Sequence, residues 1–590
     1  MRDSALYHAR EFRGRTVHTP RCLILDVDGS LGSMSKEGYF SYASASDLES
    51  LNEYASSTWG GGVSISRFDA VRKVPFQRTL DESMGMFGSQ PRSGSSKRSP
   101  MLEILETKRQ LVQSKHRELE SMRGELVATA KTGNAASGFL FDLQRRVSDT
   151  EAEITSLEED IERRLHLYRV SIGEEEDASG IFDLTDSKYW TDYNKTFWHP
   201  SCLNILSSLS ESSPVDIWDP ETMTNDELEE YSDRLRTTFE QCDQLEGLQV
   251  FVDCDTVFGA LVSKILDEVK DELGKVRNIA FPIFSVNGPS IGQTAVDTQR
   301  IRGINRAMTL ASLHDTSALV MPLDPTVWQS NSSFPHITSL QHQNLYQVGA
   351  ILASTIDSVT LPYRAASEGY TWRQFTDTLV NNSANFALVS AALPLALSQT
   401  NNLSHQFFGF DIYENPETRK VVEKDKKILP HASWMTSMVP FTSSSSNASD
   451  NLMNSTSGGV SLPWSESVVL RGVSPEFSSN PADPSYHAPN ILYQYLKRYP
   501  CASRSFTAQE AGSALPLSYP RFFEKRLNLK NSMPMLTHVQ VTRRLTDFFQ
   551  VVAKQADYEV AHRYPTLNFE RDAVLSAQDT LLTLQEDYSS

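Results

Sequence analysis

Two carboxylates, Asp253 and Asp255, are separated by one residue in a turn whose nearest glycine is Gly259. Residues 248–252, just ahead of this turn, are mostly apolar and β-favouring, which predicts a buried strand. Residues 258–273, which follow it, place apolar side chains at helical spacing. In a strand–turn–helix unit the turn lies at the carboxyl end of the sheet, where α/β proteins hold ligands. The chemistry of this turn therefore limits what the protein does.

A phosphate-binding turn has a clear physical requirement. Backbone N–H groups must converge on the anion at a helix N-terminus, and glycines allow the backbone to come close. This turn offers Asp253 and Asp255 with Gly259 as its single glycine, and two carboxylates repel a polyphosphate unless a cation lies between them. The residues therefore indicate a nucleotide-fold unit that lacks a phosphate-binding turn.

Phosphatase chemistry is the alternative interpretation of these acids. Residues 23–30 and 250–256 both match the Asp-x-Asp motif of haloacid-dehalogenase-like phosphatases. In that motif the first Asp is the nucleophile, the second is the acid/base, and magnesium lies between them. The matching residues here are Asp26, Asp28, Asp253, Asp255 and Thr256. Such enzymes also need a downstream Gly-Asp-x-x-x-Asp pair for the metal, and this chain contains no Gly-Asp dipeptide. The simpler interpretation is that Asp favours the turn at a strand end.

His199 is a further residue of a catalytic type. It lies beside Pro200 in an aromatic segment, and no nucleophile is paired with it in the sequence, which favours a packed structural histidine. The chain also lacks a Walker A sequence, a GxGxxG after a strand, GxSxG, HExxH and an EF-hand loop. We therefore predict no catalytic, cofactor-binding or metal-binding residues, and a protein that is not an enzyme.

The composition is that of an acidic globular protein. A length of 590 residues suggests roughly two to four domains. The net charge of −19 makes nucleic-acid binding through phosphate contacts unexpected. The cysteines are scattered without a CxxC pair, which argues against a zinc module or a disulfide scaffold and fits a reducing compartment. They are Cys22, Cys202, Cys242, Cys254 and Cys501. No run reaches the roughly 18 apolar residues of a membrane span, and the N-terminus has no apolar signal-peptide core.

Helix and strand patterns alternate through residues 222–366, which predicts an α/β fold with a parallel, doubly wound sheet. The predicted helices are 225–242, 258–273, 298–313 and 343–356, and the predicted strands are 247–252, 279–284, 317–321 and 359–363. An earlier strand is predicted within 21–30, a helix and an apolar strand within 372–398, and a strand at 467–472. Two C-terminal helices are predicted at 537–555 and 570–588.

Shifts in composition predict five segments. They are the start of a nucleotide-fold domain at 1–40, a low-complexity loop at 41–100, a coiled-coil or helical-hairpin insertion at 101–170, an α/β domain at 180–366 and a second, α+β domain at 367–590. The last segment contains a flexible stretch at 411–462 and the two C-terminal helices.

The insertion carries two apolar stripes. The first consists of Leu105, Val112, Leu119 and Leu126, and the second of Ile154, Leu157, Ile161, Leu165 and Tyr168. Gly133 and Gly138 interrupt the pattern between them. The spacing is typical of a self-packed antiparallel pair of helices or of a short coiled coil that binds a partner, and both interpretations stay open.

Four stretches resemble the Misato group of tubulin-like proteins. They are residues 19–32, which open with Thr19-Pro20-Arg21, residues 74–81, which open with Val74-Pro75-Phe76, the central unit at 245–264, and the late strand at 467–473. The likeness covers most of 19–400, is thinner beyond, and skips the insertion. It implies a tubulin-like fold and a non-enzymatic role in mitochondrial distribution, morphology and inheritance.

The wider tubulin pattern implies where nucleotide contacts have been kept or lost. Asn305, within residues 303–307, resembles the Asn at a tubulin helix start that contacts ribose or base. The guanine-reading Asn of the long central tubulin helix corresponds to Gly349. The phosphate loop Gly-Gly-Gly-Thr-Gly-Ser-Gly aligns with residues 253–259, where most of its glycines are replaced.

Members of this group begin with another strand and helix ahead of the Thr-Pro-Arg motif. The resemblance therefore implies that the first tubulin-like segment is lacking and that the sheet misses a central strand. It also implies protein partners, namely tubulin, the chaperonin–prefoldin system or mitochondrial surface proteins, and a location at the mitochondrial outer surface and in the cytoplasm. The alternative function is that of a GTP-binding cytoskeletal tubulin relative.

Overall fold

A computed structural model of the chain was used to locate these residues. It describes residues 7–12, 15–32, helical positions between 111 and 161, 189–194, 198, 202–210, 218–242, 245–274, 276–286, 295–329, 334, 336–337, 340–365, 370–380, 384–395, 436–438, 463–472, 501–515, 519–520, 522–523, 529, 532–556 and 570–589. The chain divides into two compact units. Unit 1 comprises Met1–Arg72 and Lys188–Ser590, and unit 2 comprises Lys73–Ser187.

The strands of unit 1 are β1 (Tyr7–Phe12), β2 (Arg15–Pro20), β3 (Ile24–Asp28), β4 (Leu203–Ser210), β5 (Gly247–Asp253), β6 (Arg277–Ile283), β7 (Leu319–Val320), β8 (Leu388–Ala392), β9 (Thr436–Ser437), β10 (Ser465–Arg471), β11 (Ser503–Gln509), β12 (Ser513–Ala514), β13 (Ser532–Met533) and β14 (Met535–Val541). The helices are α1 (Asn225–Glu240), α2 (Val257–Leu273), α3 (Ala295–Thr316), α4 (Leu345–Val359), α5 (Leu361–Arg364), α6 (Trp372–Leu379), α7 (Leu545–Gln555) and α8 (Arg571–Asp587).

Parallel strands form the centre of the α/β region, as the alternating pattern predicts. β5, β6 and β7 pair in that order, with Gly247 opposite Arg277 and Ile279 opposite Leu319. β3 pairs in parallel with β4. Each short loop between a strand and the following helix therefore opens at the carboxyl edge of its strands.

Local signals account for the helix bounds around β5. α1 begins at a capping box, in which Thr224 Oγ1 accepts from the Glu227 amide and Glu227 Oε2 accepts from the Thr224 amide, at 3.2 and 3.0 Å. α2 ends at Gly274, whose φ of +67° lies in the region that glycine adopts most readily. Leu261 and Ile265 of α2 pack with Leu206 of β4 in one buried cluster. These contacts fix the direction in which α2 leaves the acidic turn.

A mixed five-stranded sheet follows, with the order β11-β10-β14-β8-β9. β10 pairs in parallel with β11 and antiparallel with β14, which pairs antiparallel with β8. Backbone bonds from Ala387 to Val320 (2.9 Å) and from Val320 to Asn385 (2.8 Å) connect the start of β8 to β7. The largest buried cluster includes residues of both sheets, among them Phe281, Phe386 and Val539.

Two predicted elements are wrong. Residues 359–363, predicted as a strand, instead continue the helical path, because α4 ends at Val359 and α5 begins at Leu361. Pro362 sits in the first turn of α5, where a missing N–H costs no helical bond. Arg364 also donates to the Asp357 carbonyl oxygen at 2.7 Å, which secures the junction.

Residues 537–555, predicted as one helix, are a strand followed by a helix. β14 takes the first part because it is buried on both sides between β10 and β8, where the β-branched Thr537, Val539 and Val541 pack well. α7 takes the remainder. The remaining helix and strand predictions between 225 and 588 agree with the observed elements to within a few residues. The hairpin of β1 and β2, and the strands β4 and β11, were not predicted from the sequence.

Unit 2 contains the predicted insertion. Its described residues between 111 and 123 and between 145 and 161 are helical. Lys115 Nζ lies 3.0 Å from Glu153 Oε2, and His116 Nε2 lies 3.7 Å from Glu158 Oε1. Leu119 and Ile154, one from each stripe, are buried. These contacts favour the self-packed pair of helices, and the coiled coil itself stays a prediction, as do the five segment boundaries.

Candidate functional site

The acidic turn of residues 253–256 lies between β5 and α2, as the sequence indicates. Asp255 is fully buried, and its carboxylate accepts from Arg306 through Nε at 2.5 Å and Nη2 at 2.8 Å. The Ser285 amide, which follows β6, donates to the same carboxylate at 2.9 Å. A carboxylate held by a guanidinium fork and a backbone N–H has the donors that an anionic ligand would use. The turn thus holds an anion that belongs to the protein itself.

Arg306 is also shielded from water. Its guanidinium carbon lies 4.3 Å from the centre of the Phe284 ring. Burial opposes the charge on Arg306, but the hydrogen bonds to Asp255 and the nearby negative charges, that of Asp255 first, together outweigh burial and raise the pKa of the guanidinium above its ordinary value. The pair is therefore an ion pair in the interior of unit 1, where each charge depends on the other.

The family resemblance implies that Asn305 contacts a nucleotide, but in the structure its side chain bonds to the protein's own backbone. It lies within α3 rather than at a helix start, it is fully buried, and its Nδ2 donates to the Asp255 carbonyl oxygen at 2.7 Å. Its Oδ1 accepts from the Trp218 amide at 3.1 Å. Both ends of the side-chain amide are thus used to tie α3 to the acidic turn and to the segment ahead of α1.

Close packing of α2 on α3 further limits the space beside the turn. A Cβ atom at Gly259 would lie 2.1 Å from Thr309 Oγ1 and 3.2 Å from the Trp218 ring. Thr309 Oγ1 in turn donates to the Cys254 carbonyl oxygen at 3.4 Å. Gly259, the single glycine of the sequence motif, therefore serves helix packing rather than close approach to a ligand.

Asp253 is in a different state from Asp255. Its Oδ1 accepts from the Asp255 amide at 3.0 Å. Burial and the neighbouring Asp255 carboxylate raise the pKa of Asp253 to about 7, against the opposing effect of that hydrogen bond and of Arg302 and Arg306. Near neutral pH, Asp253 is thus in equilibrium between a carboxylic acid and a carboxylate. Partial protonation reduces the second buried negative charge beside Asp255.

Three backbone donors of the turn, the amides of Cys254, Asp255 and Gly259, are already in use. The Cys254 amide donates to the Ile283 carbonyl oxygen at 3.1 Å, and the Gly259 amide donates to the Thr256 carbonyl oxygen at 3.1 Å. The Asp255 amide donates to Asp253. Tubulin-like phosphate binding needs such N–H groups to be directed at the nucleotide. These three N–H groups are therefore unavailable to the phosphates of GTP.

The same geometry bears on phosphatase chemistry. Both Asp255 oxygens accept from Arg306, so the carboxylate lacks the free oxygen that would hold magnesium next to Asp253. At the first Asp-x-Asp, Asp26 accepts from the Val27 amide and from Trp190 Nε1, both at 2.8 Å. Within the part of the chain that the structure describes, no group of three His, Cys, Asp or Glu side chains is arranged to hold a metal ion.

Two further sequence positions have separate outcomes. Gly349 lies in α4, it is exposed, and a Cβ atom there would meet no atom within 4 Å. It is therefore not in a packed site. His199 lies outside the described residues.

Sequence reasoning identified the turn and Asn305 but missed Arg306, Ser285 and Trp218. Arg306 had a usable signal, because it stands between the apolar Ile304 and Ala307 in a helix whose inner face is buried. An arginine in such a position needs a carboxylate partner. Ser285 and Trp218 act through backbone amides, and no side-chain pattern reveals such donors.

Comparison with known proteins places these features in a family context. The profile of a tubulin domain matches residues 183–365, which include the turn and its partners. The chain is 34% identical to Protein dml1 of Aspergillus clavatus over 30% of this chain and 35% of that protein. It is 28% identical to Protein misato of Drosophila melanogaster over 36% of this chain and 39% of that protein. It is 21% identical to Protein misato homolog 1 of Danio rerio over 65% of this chain and 56% of that protein.

The matches to the Aspergillus and Drosophila proteins span little more than a third of the length of those relatives. The match to the Danio rerio protein spans about half of it.

Proposed function

Because the chain belongs to the Misato family of tubulin-like proteins, we propose that it is a non-enzymatic tubulin-like protein in mitochondrial distribution, morphology and inheritance. It acts by binding other proteins at the mitochondrial outer surface and in the cytoplasm. Its expected partners are tubulin, the chaperonin–prefoldin system or mitochondrial surface proteins. A contribution to microtubule assembly follows from the first two of these.

The observation that carries the proposal is the ion pair of Asp255 and Arg306. A tubulin fold that binds GTP needs an open anion site at the carboxyl end of its strands. Here the buried Asp255 carboxylate takes two guanidinium donors and the Ser285 amide. A fold whose phosphate position is filled internally supports a role in protein recognition rather than in nucleotide turnover.

A GTP-binding cytoskeletal relative is the second candidate. It is favoured by the match of residues 183–365 to a tubulin domain. It requires the Asp255–Arg306 pair to open so that a phosphate can replace the carboxylate. The two candidates differ in one measurable property, which is affinity for GTP.

Co-purification tests the proposed partners. The full chain, tagged and expressed in cells, is expected to recover tubulin, chaperonin or prefoldin subunits, or mitochondrial surface proteins, identified by mass spectrometry. The negatively charged variant Leu111→Glu changes an exposed apolar side chain of unit 2. Leu582→Glu, on α8, is a matched control because Leu111 and Leu582 are both 43% exposed.

If unit 2 supplies the binding surface, Leu111→Glu should reduce recovery by about tenfold, whereas Leu582→Glu should leave it unchanged. Equal recovery by both variants would remove unit 2 from the binding surface. Recovery of none of the expected protein classes by the unmodified chain would contradict the proposed function.

No described helix is both long enough and apolar enough to cross a membrane.

A further inference from the structure

Cys22 and Cys202 lie together at the start of two paired strands. β3 and β4 are parallel, with Ile24 opposite Leu203, so Cys202, which directly precedes β4, and Cys22, two residues ahead of β3, lie at the same end of the pair. The side chains of Cys22 and Cys202 are hydrogen-bonded to each other. Cys202 is only 4% exposed, and Cys22 is partly exposed. One thiol of the pair is therefore accessible to a small solute, and the other is held behind it.

The other three thiols donate to backbone carbonyl oxygens, as Cys202 also does to Pro20 at 3.5 Å. The Cys242 thiol donates to the Thr238 carbonyl oxygen at 3.4 Å, and the Cys254 thiol donates to the Ile283 carbonyl oxygen at 3.2 Å. The Cys501 thiol donates to the Ser503 carbonyl oxygen at 2.9 Å. All five cysteines are free thiols. Of these, Cys22 and Cys202 are the pair that is in contact.

We propose that Cys22 and Cys202 form a reversible dithiol–disulfide pair that a peroxide oxidises. The Cys22 sulfur attacks one oxygen of hydrogen peroxide, which breaks the O–O bond, releases water and leaves a sulfenic acid. The Cys202 sulfur then attacks the Cys22 sulfur, and the S–O bond breaks with loss of a second water. In total the two thiols give up two electrons and two protons, and one peroxide becomes two waters.

Proximity rather than acidity drives this reaction. The hydrogen bond to Cys202 and burial raise the pKa of the Cys22 thiol, so the reactive thiolate is scarce near neutral pH and the first step is slow. The second step joins two thiols that are already hydrogen-bonded to each other, so the attacking sulfur starts close to its target. Oxidation should therefore become faster as pH rises, and the sulfenic acid should not accumulate.

The disulfide has a clear topological consequence. Residues 73–187, which make up unit 2, lie entirely between Cys22 and Cys202 in the sequence. The bond would close a loop of the chain that contains all of unit 2, and it would cross-link β3 to β4. A bond that closes so long a loop restricts the unfolded chain strongly, which favours the oxidised form once it has formed.

Peptide mapping of the full chain tests the proposal. The purified protein is treated with hydrogen peroxide, alkylated and digested without reduction. A cross-linked peptide that joins Cys22 to Cys202, with a mass lower by two hydrogens than the sum of its reduced halves, is expected. It should disappear on treatment with dithiothreitol. Its rate of formation should rise about tenfold per pH unit below the thiol pKa.

Limited proteolysis provides a second readout. Cleavage anywhere between the two cysteines should leave fragments that migrate together on a non-reducing gel and separate on a reducing one. Cys22→Ser and Cys202→Ser should each abolish this linkage, whereas Cys242→Ser and Cys501→Ser should retain it. Absence of the Cys22–Cys202 peptide from the unmodified protein, while other cysteines are oxidised, would overturn the proposal, as would a linkage that survives in Cys22→Ser.

Discussion

The variant Arg306→Met is expected to lower the free energy of unfolding by about 3–5 kcal/mol, because it leaves the Asp255 carboxylate buried without its counter-ion. Asp255 is fully buried, and Arg306 supplies two of the four hydrogen bonds to its oxygens, the others coming from the Ser285 amide and the Cys254 thiol. Methionine keeps the length of the apolar stem and its contact with Phe284, so the loss reports on charge and hydrogen bonding rather than on a cavity. Urea unfolding followed by tryptophan fluorescence measures the change.

Two controls make this result specific. Arg373→Met removes an arginine whose side chain is 76% exposed and lies 3.8 Å from Asp377, and it should change stability by less than about 0.5 kcal/mol. Adding Asp255→Asn to Arg306→Met removes both charges and should recover part of the loss. If Arg306→Met unfolds at the same urea concentration as the unmodified protein, the ion pair does not hold the turn.

Stability is also expected to fall by roughly 2–3 kcal/mol between about pH 5 and about pH 8 through Asp253 alone. The sign follows from the two proton affinities. In the folded protein the pKa of Asp253 is raised to about 7, whereas an unfolded Asp has a pKa of about 3.9. Between these values the folded state binds the proton and the unfolded state has released it. The stabilising contribution of Asp253 is complete below the pKa that it has in the unfolded chain, and it is lost as pH rises through the pKa that it has in the folded protein.

The variant Asp253→Asn isolates this contribution from those of other acids. Burial also raises the pKa of Asp324 and of Asp267. The unfolding free energy of the unmodified protein therefore also changes with pH through these two acids. The difference in unfolding free energy between Asp253→Asn and the unmodified protein should therefore be followed across pH. We expect the variant to become relatively more stable as pH rises. A difference that does not vary with pH would mean that Asp253 is ionised throughout.

Local patterns gave reliable positions for the elements around the turn. β5 and α2 lie within one residue of their predicted bounds because each is specified by its own apolar spacing and by a nearby glycine. The strand predicted at 359–363 was wrong because its β-favouring residues follow α4 without a break, and Arg364 bonds back to Asp357. The helix predicted at 537–555 was wrong because its first residues are buried between β10 and β8 and therefore form a strand.

The state of the site depended on contacts that no local pattern contains. The sequence shows that the turn is acidic, and it indicates that phosphates are disfavoured. It does not show that Asp255 is neutralised by an arginine 51 residues away, or that Asn305 turns inward to the same peptide. Likewise, the scattered cysteines argued against a disulfide scaffold, and only the pairing of β3 with β4 brings Cys22 to Cys202.

Titration calorimetry of the full chain with GTP and magnesium tests most directly whether the anion position of the turn is filled by the protein's own carboxylate. A GTP-binding tubulin measured in parallel serves as the positive control. We predict no saturable heat at nucleotide concentrations up to about 1 mM, which corresponds to binding weaker than about 4 kcal/mol. GTP binding with a dissociation constant of about 1 μM or tighter, and with a heat that disappears when GDP competes for the site, would contradict the account.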